Sequence, residues 1–218
     1  MALQDVLKAV EMGRLKKIEG LVQDALDDGV PAGDILNGMI DTMGVVGEKF
    51  QRNEIFVPEM LVAALTMKKG VGVLRPLLAS DAGTGLGTYV IGTVAGDLHD
   101  IGKNLVALMV ESAGFNVVDL GVDVPAEKFV EAIKANPDCH VVGVSALLTT
   151  TMEAMRVTVK AIIDAGLKSQ VKIMVGGAPI TQEFADEIGA DAYTPDAGAA
   201  ATKAKELAEL KKAEDAAK

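Results

Sequence analysis

Residues 87–114 read GTYVIGTVAGDLHDIGKNLVALMVESAG. An apolar, β-branched run from Thr88 to Ala95 gives way to the polar segment Gly96-Asp97-Leu98-His99-Asp100-Ile101-Gly102-Lys103-Asn104, and a helical pattern follows. A strand, a polar loop and a helix in succession form the unit of α/β sheets, whose ligands sit where strands end and helices begin. The loop carries one of only 2 histidines in the chain. It is therefore the first candidate for a functional site.

Downstream, short β-rich runs alternate with amphipathic helical patterns: TYVIGTVA (88–95), FNVVDLG (115–121), HVVGVSALL (140–148), KIMVGG (172–177) and the weaker DAYT (191–194). Strands separated by helices pair in parallel through right-handed crossovers. The pattern predicts an α/β domain, a flavodoxin-like (Rossmann-like) doubly wound five-stranded parallel sheet of order 2-1-3-4-5. Upstream, Val6, Val10, Leu15, Ile18, Val22 and Leu26, then Ile35, Met39, Met43 and Val46, recur at helical spacing. Breaks at Asp28–Pro31, Arg52–Pro58 and Lys69-Gly70 divide this region into about four short helices, which a small bundle would bury. The expected organisation is a helical domain over 1–79, a Gly- and Ser-containing linker over 80–87 that lets the bundle swing, and an α/β domain over 88–218. The Ala- and Lys-rich end, 197–218, reads as a terminal helix that frays.

The formal charge is −10 over 218 residues. Such a surface repels phosphate backbones and anionic lipid. Aromatics make up 3% of the chain and Trp is absent, so stacking platforms for nucleic acid are hard to assemble. The single cysteine rules out an intramolecular disulfide. No apolar run is long enough to span a bilayer, and the first residues lack a signal-peptide core. A cytoplasmic protein, bound to neither nucleic acid nor membrane, is expected.

All strand C-termini of a doubly wound sheet point to one edge, so candidate residues lie in the loops at 96–104, 121–125, 145–151, 176–179 and 193–196. Ser145-Ala146-Leu147-Leu148-Thr149-Thr150-Thr151 concentrates hydroxyls, and Gly176-Gly177 removes side-chain bulk. Taken alone, these loops cap helices and make turns. His99 differs, because Asp97 two residues earlier is placed to accept one ring N–H and fix the tautomer, leaving the other nitrogen for a metal. Cys139 and His140 precede the third strand and belong to the opposite edge. A closed zinc site lacks ligands, and Gly92, Gly96 and Gly102 have the wrong spacing for a phosphate loop or dinucleotide fingerprint.

The ordered set Asp97-x-His99-x-x-Gly102, Ser145-x-Leu147 and Gly176-Gly177, each after a strand, resembles the cobalamin-binding domain of methionine synthase and related methyl-transfer proteins. GVVGEKFQRNEIFVPEMLVAALTMKKGVGVLRP, residues 44–76, is similar to the helical cap of the small corrinoid proteins that serve methanogen and acetogen methyltransferases. The resemblance implies cobalamin bound base-off, with His99 as the lower cobalt ligand and only metal ligand, Asp97 orienting it and Thr151 continuing the relay. Asp100 and Ile101 belong to the same cofactor-binding loop. Gly102, Ser145, Leu147, Thr149, Gly176 and Gly177 match positions lining the channel for the nucleotide tail. Met43, Val46 and Phe50 share a helical face, which reads either as a shield over the corrin's upper face or as plain bundle core.

The same resemblance implies a methyl carrier with no turnover alone. A substrate-specific methyltransferase would load it, a second methyltransferase acting on tetrahydrofolate or an equivalent would unload it, and a corrinoid reductive activase would maintain it. Methoxylated aromatics, methylamines, methanol and betaines are the donor classes, with a lean to O-demethylation of methoxylated aromatics. A cobalamin-dependent sensor or regulator is the alternative, and a mutase subunit a third reading.

Overall fold

The computed structural model describes residues 2–78 and 85–216. Most of the expected linker, residues 80–84, lies outside them. The chain divides into two compact units, one of residues up to 85 together with 111–114, the other of residues 86–110 and 115 onward.

The first unit holds four helices among the described residues: α1 (Ala2–Glu11), α2 (Ile18–Asp27), α3 (Ala32–Gln51) and α4 (Val57–Leu78). Helix α1 packs on α2 and α3, and α4 packs on α2 and α3. Val6, Val10, Ile18, Val22, Ile35, Met39, Met43 and Val46 are buried, as their spacing predicts.

Two helix boundaries depart from the sequence reading. The first is at Leu15, which continues the apolar period of α1 but lies in the turn to α2. Gly13 adopts φ +64° there. The Gly13 and Arg14 N–H groups bond back to the Val10 and Ala9 carbonyls, a Schellman end that period counting does not register. The second is at Lys69-Gly70, which breaks nothing, because α4 runs straight through. A Cβ on Gly70 would stand 2.6 Å from Met39 Cε and 3.0 Å from Ile18 Cγ1. Glycine is there for close helix contact, which outweighs its helix propensity cost of about 1 kcal/mol.

The second unit is the doubly wound sheet. Its strands β1 (Thr88–Thr93), β2 (Asn116–Asp119), β3 (Cys139–Ser145), β4 (Lys172–Gly176) and β5 (Ala192–Tyr193) are parallel, in the order 2-1-3-4-5. The connecting helices are α5 (Ile101–Ser112), α6 (Ala126–Ala135), α7 (Met152–Asp164) and α8 (Gln182–Ile188), and α9 (Ala197–Ala216) follows β5.

Strand residues alternate between faces. Val90, Val142, Val144, Ile173 and Val175 share one core with Phe129 and Ile133 of α6, Met155, Val159 and Ile162 of α7, and Phe184 and Ile188 of α8. On the other face the Tyr89 ring fills the space over Gly143, where a Cβ would stand 2.2 Å from the phenol oxygen. Helix α9 packs on β3 and β4. Its alanines 197, 200, 201, 204 and 208 are buried with Leu207 and Lys211. The expected fraying helix is thus a packed layer over its described length, since small side chains let it approach the sheet closely.

Candidate functional site

Strand β1 ends at the edge where β3 also ends: the Val94 N–H donates to the Ser145 carbonyl at 3.0 Å. Gly96, at φ +78°, turns the chain and sends the Asp97 side chain inward, where it is fully buried. Its Oδ1 accepts the His99 backbone N–H at 3.1 Å and faces His99 Nδ1 at 2.7 Å. Its Oδ2 accepts the Leu147 N–H at 2.7 Å. Thr151 Oγ1 lies 2.8 Å from Asp97 Oδ2 and 2.9 Å from the Leu148 carbonyl, two acceptors for one hydroxyl proton. Burial would raise the Asp97 pKa, but hydrogen bonds from Leu147, the His99 ring, the His99 N–H and Thr151 outweigh it and hold the carboxyl well below the ordinary range.

A carboxylate can only accept, so the proton of neutral His99 is on Nδ1 and the lone pair is on Nε2. The imidazole is 49% exposed, and the Thr93 hydroxyl donates to the His99 carbonyl at 2.9 Å. Backbone, ring and acid are therefore tied to one another.

The loops beside His99 leave large aliphatic side chains open among polar ones. Leu98 and Ile101 are 72% and 79% exposed, and Leu147 and Leu148 are about half as open at 41% and 40%. Large aliphatic side chains clustered in this way mark a face that something covers. Behind them, Thr93, Ser145 and Gly176 lie side by side across β1, β3 and β4. A Cβ built on Gly102, in the first turn of α5, meets nothing within 4 Å. Gly177 adopts φ +132°, and its Cβ would stand 1.7 Å from the Ala146 carbonyl oxygen. The exits of β3 and β4 thus run against each other with no side chain between them.

Asp97, His99, Leu147 and Thr151 are joined directly, and Ser145 and Gly176 are strand neighbours. Asp100, Ile101 and Thr149 are exposed, with Thr149 in a 3-10 turn. Met43 and Val46 are buried residues of the helical unit. Period counting overlooked Asp123, whose Oδ1 accepts the Gly96 N–H at 2.7 Å, and the Lys103–Asp119 pair at 2.5 Å. Only the sequence DLGVD, 119–123, signals them, through two acids flanking a glycine after a strand. Cys139 and His140 stand at the opposite end of β3, as expected. Burial pushes the Cys139 thiol up to about 12, which removes it as a nucleophile.

The donor set defines the chemistry. Among the described residues no group of three or more His, Cys, Asp and Glu side chains is placed to hold a metal ion. A single imidazole buttressed by a buried acid suits a metal whose other ligands come from a macrocycle. The residues present fit a corrinoid on this count.

The B12 binding domain family matches residues 87–212, and a second B12 binding domain family matches residues 2–75. The chain is 43% identical to dimethylamine corrinoid protein 3 of Methanosarcina acetivorans, covering 94% of this chain and 96% of the relative. It is 48% identical to dimethylamine corrinoid protein 2 of Methanosarcina mazei, covering 81% and 83%. The methanol:cobalamin methyltransferase complex MtaBC from Methanosarcina barkeri contains a similar structure, with TM-score 0.80, 27% identity and coverage of 97% of this chain and 84% of that one. The expectation of methoxylated aromatics finds no support among these relatives. Among the described residues no helix is long and apolar enough to cross a membrane. Fold, family matches and relatives agree, and the chain belongs to the corrinoid proteins built from B12 binding domains.

Proposed function

We propose that the protein is a methyl carrier of a methylamine methyltransferase system, holding a corrinoid base-off with His99 Nε2 as the lower axial ligand of cobalt. When bound, the corrinoid supplies the chemistry of accepting and releasing the methyl group. The chain supplies the ligand and its tuning: Asp97 fixes the imidazole tautomer, and Thr151 and the Leu147 N–H fix Asp97. Leu98, Ile101, Leu147 and Leu148 exclude water beneath the ring. Gly102, Ser145, Thr149, Gly176 and Gly177 provide the room and polar lining for the nucleotide tail, with Asp100 beside them. Met43 and Val46 of the helical unit are linked to the cofactor by the family resemblance alone.

One observation carries this reading: the only histidine at the ligand edge has Nδ1 held at 2.7 Å by a buried carboxylate. Dimethylamine is the proposed methyl source, on the names of the relatives. The proposed partners are a dimethylamine-specific methyltransferase, a second methyltransferase that removes the methyl group, and a reductive activase.

The test combines two measurements. Apoprotein loaded with cobalamin should show the spectrum of histidine-ligated, base-off corrinoid. Mixed with a dimethylamine methyltransferase, the reduced holoprotein should release monomethylamine from dimethylamine, and with a methoxybenzoate demethylase it should not. Demethylation of the aromatic alone would overturn the substrate assignment.

A further inference from the structure

Two contacts from one neighbouring segment grip the ligand loop at both ends. We propose that the stretch from Asp119 to Asp123, leaving β2, is a buttress that presets the position of His99, with Lys103, Asp119 and Asp123 as positioning residues. The proposal rests on His99 being the axial ligand.

The downstream grip is Lys103. Its side chain is 2% exposed, and Nζ donates to Asp119 Oδ2 at 2.5 Å and to Asn104 Oδ1 at 2.7 Å. Asn104 in turn donates through Nδ2 to Asp100 Oδ2 at 3.1 Å and through its backbone N–H to the Asp100 carbonyl at 2.7 Å. Asp119 is itself held, since its Oδ1 accepts the Gly121 N–H at 2.9 Å. A cation in the first turn opposes the helix dipole, and burying an ammonium costs more still. Neither cost stabilises α5. Together they fasten the start of the helix, and so the residue that follows His99, to the end of β2.

The upstream grip is Asp123. It is a non-glycine residue at φ +52°, a conformation an L side chain adopts at a cost. In that conformation its Oδ1 accepts the Gly96 N–H at 2.7 Å, and its own N–H donates to the Asp97 carbonyl at 3.0 Å. Gly96 and Asp97 are the residues that lead into His99. The five residues from Asp119, the last of β2, to Asp123 thus hold both the entry and the exit of the loop. Ordering the imidazole is completed when the chain folds, and ligation does not bear that entropy.

The test uses the full chain, the variants Asp123→Ala, Asp123→Asn and Lys103→Met, and cob(II)alamin as probe. In the apoproteins, hydrogen exchange of the amides of residues 96–104 is compared with that of β3 and β4. Loss of either grip should accelerate exchange in the loop tenfold or more and leave the strands protected, and Asp123→Asn should restore protection. In the loaded proteins with 15N-histidine, the electron paramagnetic resonance spectrum reads the axial nitrogen. Asp123→Ala should retain cobalamin yet show a mixture of histidine-ligated and unligated metal.

Unchanged loop protection and full histidine ligation in Asp123→Ala and Lys103→Met overturn the buttress, as does exchange that rises uniformly across the sheet. If Lys103→Met does not fold, the exposed Asp123 decides alone. A wild-type protein that takes up no cobalamin defeats the ligand assignment, while the exchange measurement still decides the buttress.

Discussion

Gly177 and Ala146 meet backbone to backbone, so closely that a Cβ on Gly177 would stand 1.7 Å from the Ala146 carbonyl oxygen. The contact joins the exits of β4 and β3. Gly177→Ala meets both this clash and a backbone angle of +132°. It is expected to lower stability by about 3 kcal/mol or more, through strain that no rotamer relieves. A urea melt checks it, and a midpoint equal to wild type would show that the two loops separate freely.

Gly102→Ala should do the opposite. The added methyl meets no neighbouring atom and lies in the first turn of α5, where alanine favours the helix by up to about 1 kcal/mol. Under the proposed reading the same methyl intrudes on the nucleotide tail. The expected result is a thermal midpoint at or above wild type, together with cobalamin affinity reduced at least tenfold in equilibrium dialysis. Unchanged affinity would remove Gly102 from the channel.

His99→Ala keeps the fold, because the imidazole is half exposed and its loss leaves Asp97 with three other donors. The variant should retain part of its cobalamin by the nucleotide tail and lose histidine ligation. Absorption spectra of the loaded protein measure this, and a spectrum identical to wild type would falsify the axial assignment.

Asp97→Asn places an amide where Leu147, Thr151 and His99 all donate to a carboxylate. One or more of those donors loses its acceptor, at about 1–3 kcal/mol for each buried group left unpaired. The pH sign follows from the depressed pKa. The wild-type carboxylate contributes its full stability above the unfolded value of about 4 and loses it as pH falls below that value toward the folded one. The stability gap between wild type and Asp97→Asn should be constant from pH 7 to about 5 and narrow in more acid solution. Guanidine melts across that range test it, and a gap that widens on acidification would reverse the argument.

Gly70→Ala weighs propensity against contact. Alanine gains about 1 kcal/mol in the helix interior, but its methyl would press on Met39 Cε at 2.6 Å and on Ile18 Cγ1 at 3.0 Å. Overpacking of this kind costs about 1–3 kcal/mol. A net loss of about 1 kcal/mol is expected in a thermal melt, reduced by Met39→Leu, which shortens the obstructing side chain.

Strand order was legible because β1, β3 and β4 are continuous apolar runs separated by helical spacing, which leaves little choice of topology. His99 and Asp97 were legible for a local reason: two residues apart at a strand exit, they can meet without knowledge of the rest of the fold. Leu15 and Gly70 were misread because period and propensity are one-dimensional signals. A Schellman turn and a close helix crossing are settled by atoms distant in sequence. Asp123 lay in a candidate loop, but its contact was hidden for the same reason, since its partner Gly96 is supplied by another strand's loop. The side-by-side placement of Thr93, Ser145 and Gly176 follows from register, which pattern alone leaves open.

Two of the four donors to Asp97 come from His99, and the other two from residues 50 and 54 positions away in the chain. The acid that aims His99 is therefore satisfied only after the third strand has joined the first.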